Sequence, residues 1–438
     1  MGQSQSRSTA VLQAERSLPP EVLRRLLADF ESLANPQGQL SATQLLRLLG
    51  LEGADSQITK AVAAAVGQQR IDDAAHSEPP GSITWPKLVL IIARCTQASD
   101  EARGMAFDIL AVGQKSIGAA DLHERLTAWV CWALGLSSNH PPGHIITAIV
   151  QGMLKSSGQE KEVDQEGFVK WSKQFPAVAQ AVRAPFARLT QPPAANQLSG
   201  SHAQVDLPES LLLKGVSATG CLLSTEARWL LSSGLPEKMR QTWQLLFNSN
   251  VHGQSFSTFM GRAGSNGPTL TLIKDKQGHV FGGFSADPWE RHGTFYGSFT
   301  VSIFQLLPQL QLFKPKGINE NYQWCGYNFT STSIPNGFGW GGQVGYFGLF
   351  VDGSFERGMS RPAATFENPC LASAETFEVD TVECWRVQPP TPEELEEAAR
   401  EHNSVLDKFK EDRSFMAMAG RAVQSSAGYR EAPAEDNG

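Results

Sequence analysis

The stretch GFGWGGQVGYFGLFVDGSFERG, Gly337 to Gly358, decides how the second half of this 438-residue chain is read. Its first eight residues fit G-x-G-x-x-G-x-V, with Gly337, Gly339, Gly342 and Val344 in place. That is the phosphate-covering loop of protein kinases, and its first six residues also fit the dinucleotide fingerprint. Both chemistries need more than glycine. A kinase needs a lysine strand, a catalytic-loop Asp and a magnesium-binding Asp after the loop, and the remaining chain contains no V-A-I-K, H-R-D or D-F-G. A dinucleotide site needs a helix directly after the glycines, so that its N-terminus meets the pyrophosphate. The glycines instead lead into QVGYFGLFVDGSF, which reads as strand and tight turn. They therefore serve β-geometry, where backbones approach closely or bulge.

The neighbouring stretches have the same habit. TLTLIKDKQGHVFGGFS (Thr269–Ser285) alternates and breaks at KDKQG, a hairpin signal, and GSFTVSIFQL (Gly297–Leu306) continues it. Before it, STEARWLLSSGLPEKMRQTWQLLFNS (Ser224–Ser249) is helical in character, with Ser224 as an N-cap and Glu226 close behind. Further upstream the period changes. PPEVLRRLLADFESLA starts with proline and carries Val22, Leu23, Leu26, Leu27 and Phe30 on a 3.6-residue stripe. Helical character continues to about Ala184, and a Pro, Ala, Gln and Ser-rich linker over 185–210 separates the two halves.

The helical half carries a weak internal repeat: GQLSATQLLRLL, GSITWPKLVLII, KSIGAADLHERL and KEVDQEGFVKWS share an apolar residue at Leu40, Ile83, Ile117 and Val163. In an EF-hand loop that residue is position 8, with glycine at 6 and a bidentate Glu at 12. Gly38 and Gly81 fall at position 6 of the first two. The calcium chemistry is missing, because position 12 would be Gln44, Lys87, Asp121 and Gly167, and position 1 Leu33, His76, Leu110 and Ser156. The repeat reads as degenerate EF-hand helix pairs that keep the packing and lose the metal, with coincidental helix–loop–helix spacing as the competing reading.

A net charge of −7 offers no basic face for nucleic acid. Six cysteines (95, 131, 221, 325, 370, 384) show neither C-x-x-C nor zinc spacing and read as reduced, mostly buried thiols. HPPGH (His140, His144) has no third ligand and reads as an inter-helix turn. The longest clean apolar run, LVLIIA at Leu88–Ala93, is far short of the roughly 18 residues a spanning helix needs, and the polar N-terminus lacks a signal core. MGQSQS fits the acceptor pattern for myristate on Gly2 once Met1 is removed, with Ser6 as the key hydroxyl. One acyl chain binds membranes only marginally and reversibly. With no polybasic run or nearby cysteine as a second signal, a stable membrane address requires a protein partner.

At the other end, TPEELEEAAREHNSVLDKFKEDRSFMAMAG predicts a helix over 391–418. Thr391, Pro392 and Glu394 form a capping box, and glutamates crowd the first turns, where the dipole favours them. Leu395, Ala398, His402, Val405, Phe409 and Met416 make one narrow apolar stripe with Leu406 beside it. Such a stripe either packs on its own domain or docks in a partner's groove. The QPP before it and the Ala/Gly/Ser tail over 419–438 make this helix look hinged outward, and on the residues alone both readings stay open.

GHVFGGFSADPW (Gly278–Trp289), FYGSFTVSIFQLLP (Phe295–Pro308), the glycine-rich stretch at Gly337–Gly358 and TFENPCLASAETFEVDTVECWRV (Thr365–Val387) together closely resemble the TLDc domain, from about Leu222 to Val387. The myristate pattern and the degenerate EF-hand half narrow the resemblance to a lysosomal, mTOR-associated branch of that family. The resemblance implies an α+β chain with several parts: a flexible arm over 1–19 carrying the lipid on Gly2, a helical EF-hand-like domain over 20–184, a TLDc antiparallel β-sandwich flanked by helices over 211–388, the C-terminal docking helix, and a disordered tail over 419–438. It implies no catalytic centre, no metal and no cofactor beyond the myristate. It implies docking on the vacuolar proton pump (V-ATPase) and recruitment of the mTOR kinase complex at the lysosomal membrane. It also carries an association with protection against oxidation. Two other readings stay open at this level: an enzyme using Cys370, Cys384 or Glu320, and a calcium sensor built on the helical half.

Overall fold

The structure is a computed structural model that describes residues 9–68, 83–137, 143–191, 205–213, 216–331 and 333–389. Gly2, His140, residues 192–204 of the linker, the docking helix with Leu395, Ala398, His402, Val405, Leu406 and Phe409, and the tail lie outside the described residues.

Proline-started α2 (Pro20–Leu33) comes after α1 (Thr9–Ser17) and turns Val22, Leu26 and Phe30 inward, the spacing its stripe predicts. The repeat then unfolds in order. The first pair of units comprises β1 (Gln39–Leu40), α3 (Ala42–Leu48), α4 (Ser56–Gly67), β2 (Ile83–Thr84) and α5 (Trp85–Cys95). The second comprises α6 (Asp100–Ala111), β3 (Ser116–Gly118), α7 (Ala119–Leu134), α8 (Gly143–Ser157), β4 (Glu162–Asp164) and α9 (Gln165–Ser172). Helix α10 (Ala177–Arg188) closes the half. The four apolar loop residues pair two by two: Leu40 opposite Ile83, and Ile117 opposite Val163. Each two-residue or three-residue bridge ties one helix–loop–helix unit to the next.

The chain start corrects one expectation. Residues 1–19 read as a flexible arm, yet Thr9–Ser17 is helical, because Val11, Ala14 and Leu18 fall on one face and bury there. Trp85 Nε1 donates to Glu15 Oε1 at 3.1 Å and ties α1 to α5.

The second half holds β5 (Glu209–Leu211), α11 (Thr225–Ser232), β6 (Thr242–Asn248), α12 (Ser249–His252) and α13 (Phe256–Ala263). Ser224 caps α11 by accepting from Ala227 N at 3.2 Å, as its sequence predicts. Then come β7 (Thr269–Asp275), β8 (Val280–Ser285), β9 (Ser302–Leu307), β10 (Gln311–Phe313) and β11 (Gln323–Gly326). The remaining strands are β12 (Gly337–Gln343), β13 (Tyr346–Asp352), β14 (Arg357–Met359) and β15 (Thr376–Arg386). They join in the order β10-β9-β8-β7-β15-β14-β13-β12-β11, with β6 also on β15. All these pairs are antiparallel; β5 alone pairs in parallel, on β6.

Strand β15 belongs to both layers of the sandwich. Its first residues pair with β14 (Arg357 opposite Glu378), and the rest pair with β7 and β6. The layers face each other through aromatic rings. Trp340 of β12 donates from Nε1 to Ser285 Oγ of β8 at 2.9 Å and meets Trp289 edge-on at 5.3 Å. Phe259 of α13 stacks on Phe338 at 4.8 Å. Trp289, Phe259, Phe338 and Trp340 are all fully buried. Gly342, the third glycine of the fingerprint, has φ +83°, and a Cβ there would strike the Tyr346 carbonyl across the β12–β13 hairpin. The glycines meet neighbouring strands, and they lead into a strand rather than a helix, as their sequence predicts. The other face of the sheet region shares one continuous apolar core with the helical half.

Candidate functional site

Three sets of residues are candidates for chemistry: the EF-hand-like loops, the thiols, and a buried carboxylate. In the first loop, Asn35 Oδ1 accepts from the backbone N–H of Gln37 and Gln39, at 3.1 and 2.9 Å. Gln44, at position 12, reaches back to position 1: its Nε2 donates to the Leu33 carbonyl at 2.5 Å while its Oε1 accepts from Ser41 N at 2.7 Å. In the second, position 12 is Lys87, a buried ammonium donating to the Gly67 carbonyl at 3.3 Å. In the third, Arg125 donates to the carbonyl of Leu110, again position 1, at 2.5 Å. In the fourth, position 12 is Gly167, and a Cβ there would fall on Ser157. Calcium loops converge oxygens on a cation. In the described parts of these loops, amide, ammonium and guanidinium donors meet carbonyls instead, or a serine fills the space. This donor set does not fit calcium, and no cluster of three His, Cys, Asp or Glu among the described residues fits another metal.

All six cysteines are free. Burial pushes the thiols of Cys95, Cys325 and Cys384 up to about 12, and that of Cys221, with Glu383 beside it adding to the effect, up to about 11. Burial also raises Cys131 and half-buried Cys370; the Ala372 backbone and the Ser360 hydroxyl partly offset it at Cys370. A nucleophilic thiol needs the opposite, a depressed pKa beside a cation or helix N-terminus. Cys384 lies inside β15 against Thr271 Oγ1 at 3.6 Å, Cys370 sits against the Ala372 carbonyl at 3.4 Å, and Glu320 is exposed in a loop. Among the described residues, no hydrogen bond or ion pair joins these three groups.

Sequence reasoning passed over Glu383. It is fully buried in β15 and accepts four hydrogen bonds, from Leu222 N (2.9 Å), Leu223 N (3.3 Å), Asn248 Nδ2 (3.0 Å) and Trp385 Nε1 (3.1 Å). Burial raises its pKa, and the four donors pull it back. Its partners are spoken for by the fold: it clamps the entry segment before α11 to the centre of the sheet. The available signal was a lone acid inside the apolar run VECWRV, since buried carboxylates persist only when hydrogen-bonded or paired.

Residues 216–388, the aromatic-filled, two-layer sheet with helices at its margin, match the family model described as the TLDc domain. Over 219 residues, 49% of this chain and 47% of the relative, the sequence is 39% identical to the zebrafish (Danio rerio) MTOR-associated protein MEAK7. It is 35% identical to the human protein of that name over 209 residues, covering 47% of this chain and 44% of the relative. The rat (Rattus norvegicus) oxidation resistance protein 1 is 29% identical over 193 residues, 43% of this chain but 22% of that protein. The match therefore spans about half the length of the MTOR-associated relatives.

Proposed function

We propose that the chain is a non-enzymatic adaptor of mTOR-related signalling on the cytosolic face of lysosomes. In this reading the TLDc domain and the helix over 391–418 dock on the V-ATPase, and myristate on Gly2 supplies a weak membrane tether. The observation that carries it is the 35–39% identity to MTOR-associated relatives along half the chain. The chemistry of the sheet is consistent with a binding role. Its interior is occupied by rings, its thiols are held protonated, and its one four-donor carboxylate is a structural clamp. Similarity to an oxidation resistance protein favours a second reading as a stress protein, but thiols raised this far are poor peroxide scavengers.

The test is recovery of pump subunits and mTOR kinase from lysosomes by the tagged protein, compared with Gly2→Ala, Leu406→Asp and Phe409→Asp. Loss of pump subunits in the two helix variants, and a weakened lysosomal fraction for Gly2→Ala, are expected. Unchanged pump recovery in both helix variants removes the helix from the reading. Absence of both pump and kinase from the wild-type sample removes the adaptor itself.

A further inference from the structure

Helices α8 and α9 flank the fourth loop and form a groove between them. The turn from β9 to β10 lies in this groove. Leu310, at its tip, is 1% exposed and belongs to the apolar core of the helices. Its N–H donates to the Ala148 carbonyl of α8 at 2.9 Å, and its carbonyl accepts from Trp171 Nε1 of α9 at 3.3 Å. Two more bonds flank it: Gln309 Nε2 to the Gln151 carbonyl at 3.3 Å, and Leu312 N to Gln174 Oε1 at 3.4 Å. The approach is so close that α8 carries a glycine in its interior. A Cβ on Gly152 would strike the Leu310 carbonyl and sit 2.8 Å from Trp171 Nε1. Interior glycine weakens a helix relative to alanine, so this position gives up helix stability to seat the turn.

Paired helix–loop–helix units use such a groove to receive an apolar segment of a target, and a cation opens it. Here the loops are closed by protein donors, and the groove is filled by a segment of the same chain. We infer that the α8–α9 groove is a peptide-docking surface occupied in cis by Pro308–Gln311. Its partner in trans is an extended, leucine-bearing segment that offers one backbone N–H and one carbonyl and displaces the turn. The occupied groove is then the closed state of a competition between two peptides of the same chemistry, with no metal in the cycle.

The experiment uses the full-length protein and a labelled synthetic peptide, QLLPQLQLF, copied from residues 305–313. Leu310→Asp in the protein removes the apolar anchor of the cis segment and leaves the groove's own Gly152 and Trp171 in place. It should lower the exchange protection of the amide at position 310 at least ten-fold while leaving β7 and β8 amides unchanged. It should also bind the peptide saturably where the wild type binds at least ten-fold more weakly. Leu310→Ala is the second, milder variant and should shift both readouts in the same direction. A peptide with Leu310→Asp should not bind, and adding Gly152→Ala to either variant should abolish peptide binding, because the new methyl occupies the place of the Leu310 carbonyl. Wild-type protection at position 310 in both variants overturns the inference. So does an opened groove that fails to take the peptide, or peptide binding that Gly152→Ala leaves unchanged.

Discussion

Glu383 offers the sharpest test of how the sheet is held. Its Oε1 accepts from Leu222 N and Asn248 Nδ2, and its Oε2 from Leu223 N and Trp385 Nε1. Glu383→Gln keeps the shape but turns one acceptor into an NH₂ group facing two donors. Hydrogen bonds to a charged acceptor are worth about 1.5–3 kcal/mol each, and losing two is partly offset by no longer burying a charge. The net loss should be roughly 2–4 kcal/mol. A cooperative unit of 150–250 residues loses about 2–4 °C per kcal/mol, so the melting temperature should drop by ~4–16 °C. Glu383→Ala leaves four donors without an acceptor and should cost more. Calorimetry measures the melt, and hydrogen exchange at the Leu222 and Leu223 amides reports the clamp directly. The sign of the pH effect is also set. Burial holds the folded pKa above the ordinary carboxylate value, so this group's contribution is fullest below that ordinary value and declines as pH rises through the folded one. If Gln and Ala variants melt within about 1 °C of wild type with the two amides still protected, the clamp argument is wrong.

The raised thiols predict an alkaline weakness. Cys95, Cys325 and Cys384 shift from 9.0 to about 12, so each should withdraw about 1.4 kcal/mol of stability per pH unit as pH climbs from 9 toward 12; denaturant melts at pH 8 and pH 10 read this, and an unchanged midpoint contradicts it. At neutral pH the same three thiols should react with a disulfide reagent only on unfolding. Calcium at millimolar concentration should leave the melting temperature unmoved within error, and a stabilisation of several degrees would mean the closed loops reopen. Trp340→Ala should cost about 3–5 kcal/mol, the usual range for deleting a buried aromatic, and should lower the denaturation midpoint; a change under ~1 kcal/mol would mean the rings do not carry the contact between layers.

Local signals in the chain were readable where structure is local. The Pro20 start, the Val22–Leu26–Phe30 stripe, the Ser224 cap and the hairpin after Asp275 all stand where periodicity and turn chemistry put them. The repeat was visible because Leu40, Ile83, Ile117 and Val163 recur in equivalent loops, and these four residues form the strand bridges. Missing from any local reading were contacts set by distant partners. Nothing near Glu383 announces donors 160 residues earlier in the chain, and nothing in LLPQLQ announces a seat on α8. The alternation of TFEVDTVECWRV likewise gives no hint that one strand serves two layers, because register and partner are decided by the whole fold. Gln44 and Lys87 show a related limit. Sequence spacing shows that the position-12 carboxylate is lacking, and only coordinates show where the amide or ammonium in its place donates.

The placement of β15 has a mechanical consequence. It is the last strand before Gln388, and it is hydrogen-bonded along both sides to β14, β7 and β6 rather than lying at a margin. Ladder bonds run perpendicular to the strands, so tension applied just beyond Gln388 would load many of them together, in shear. A marginal strand would instead peel away one bond at a time. The sheet should therefore resist tension applied on its C-terminal side and yield late.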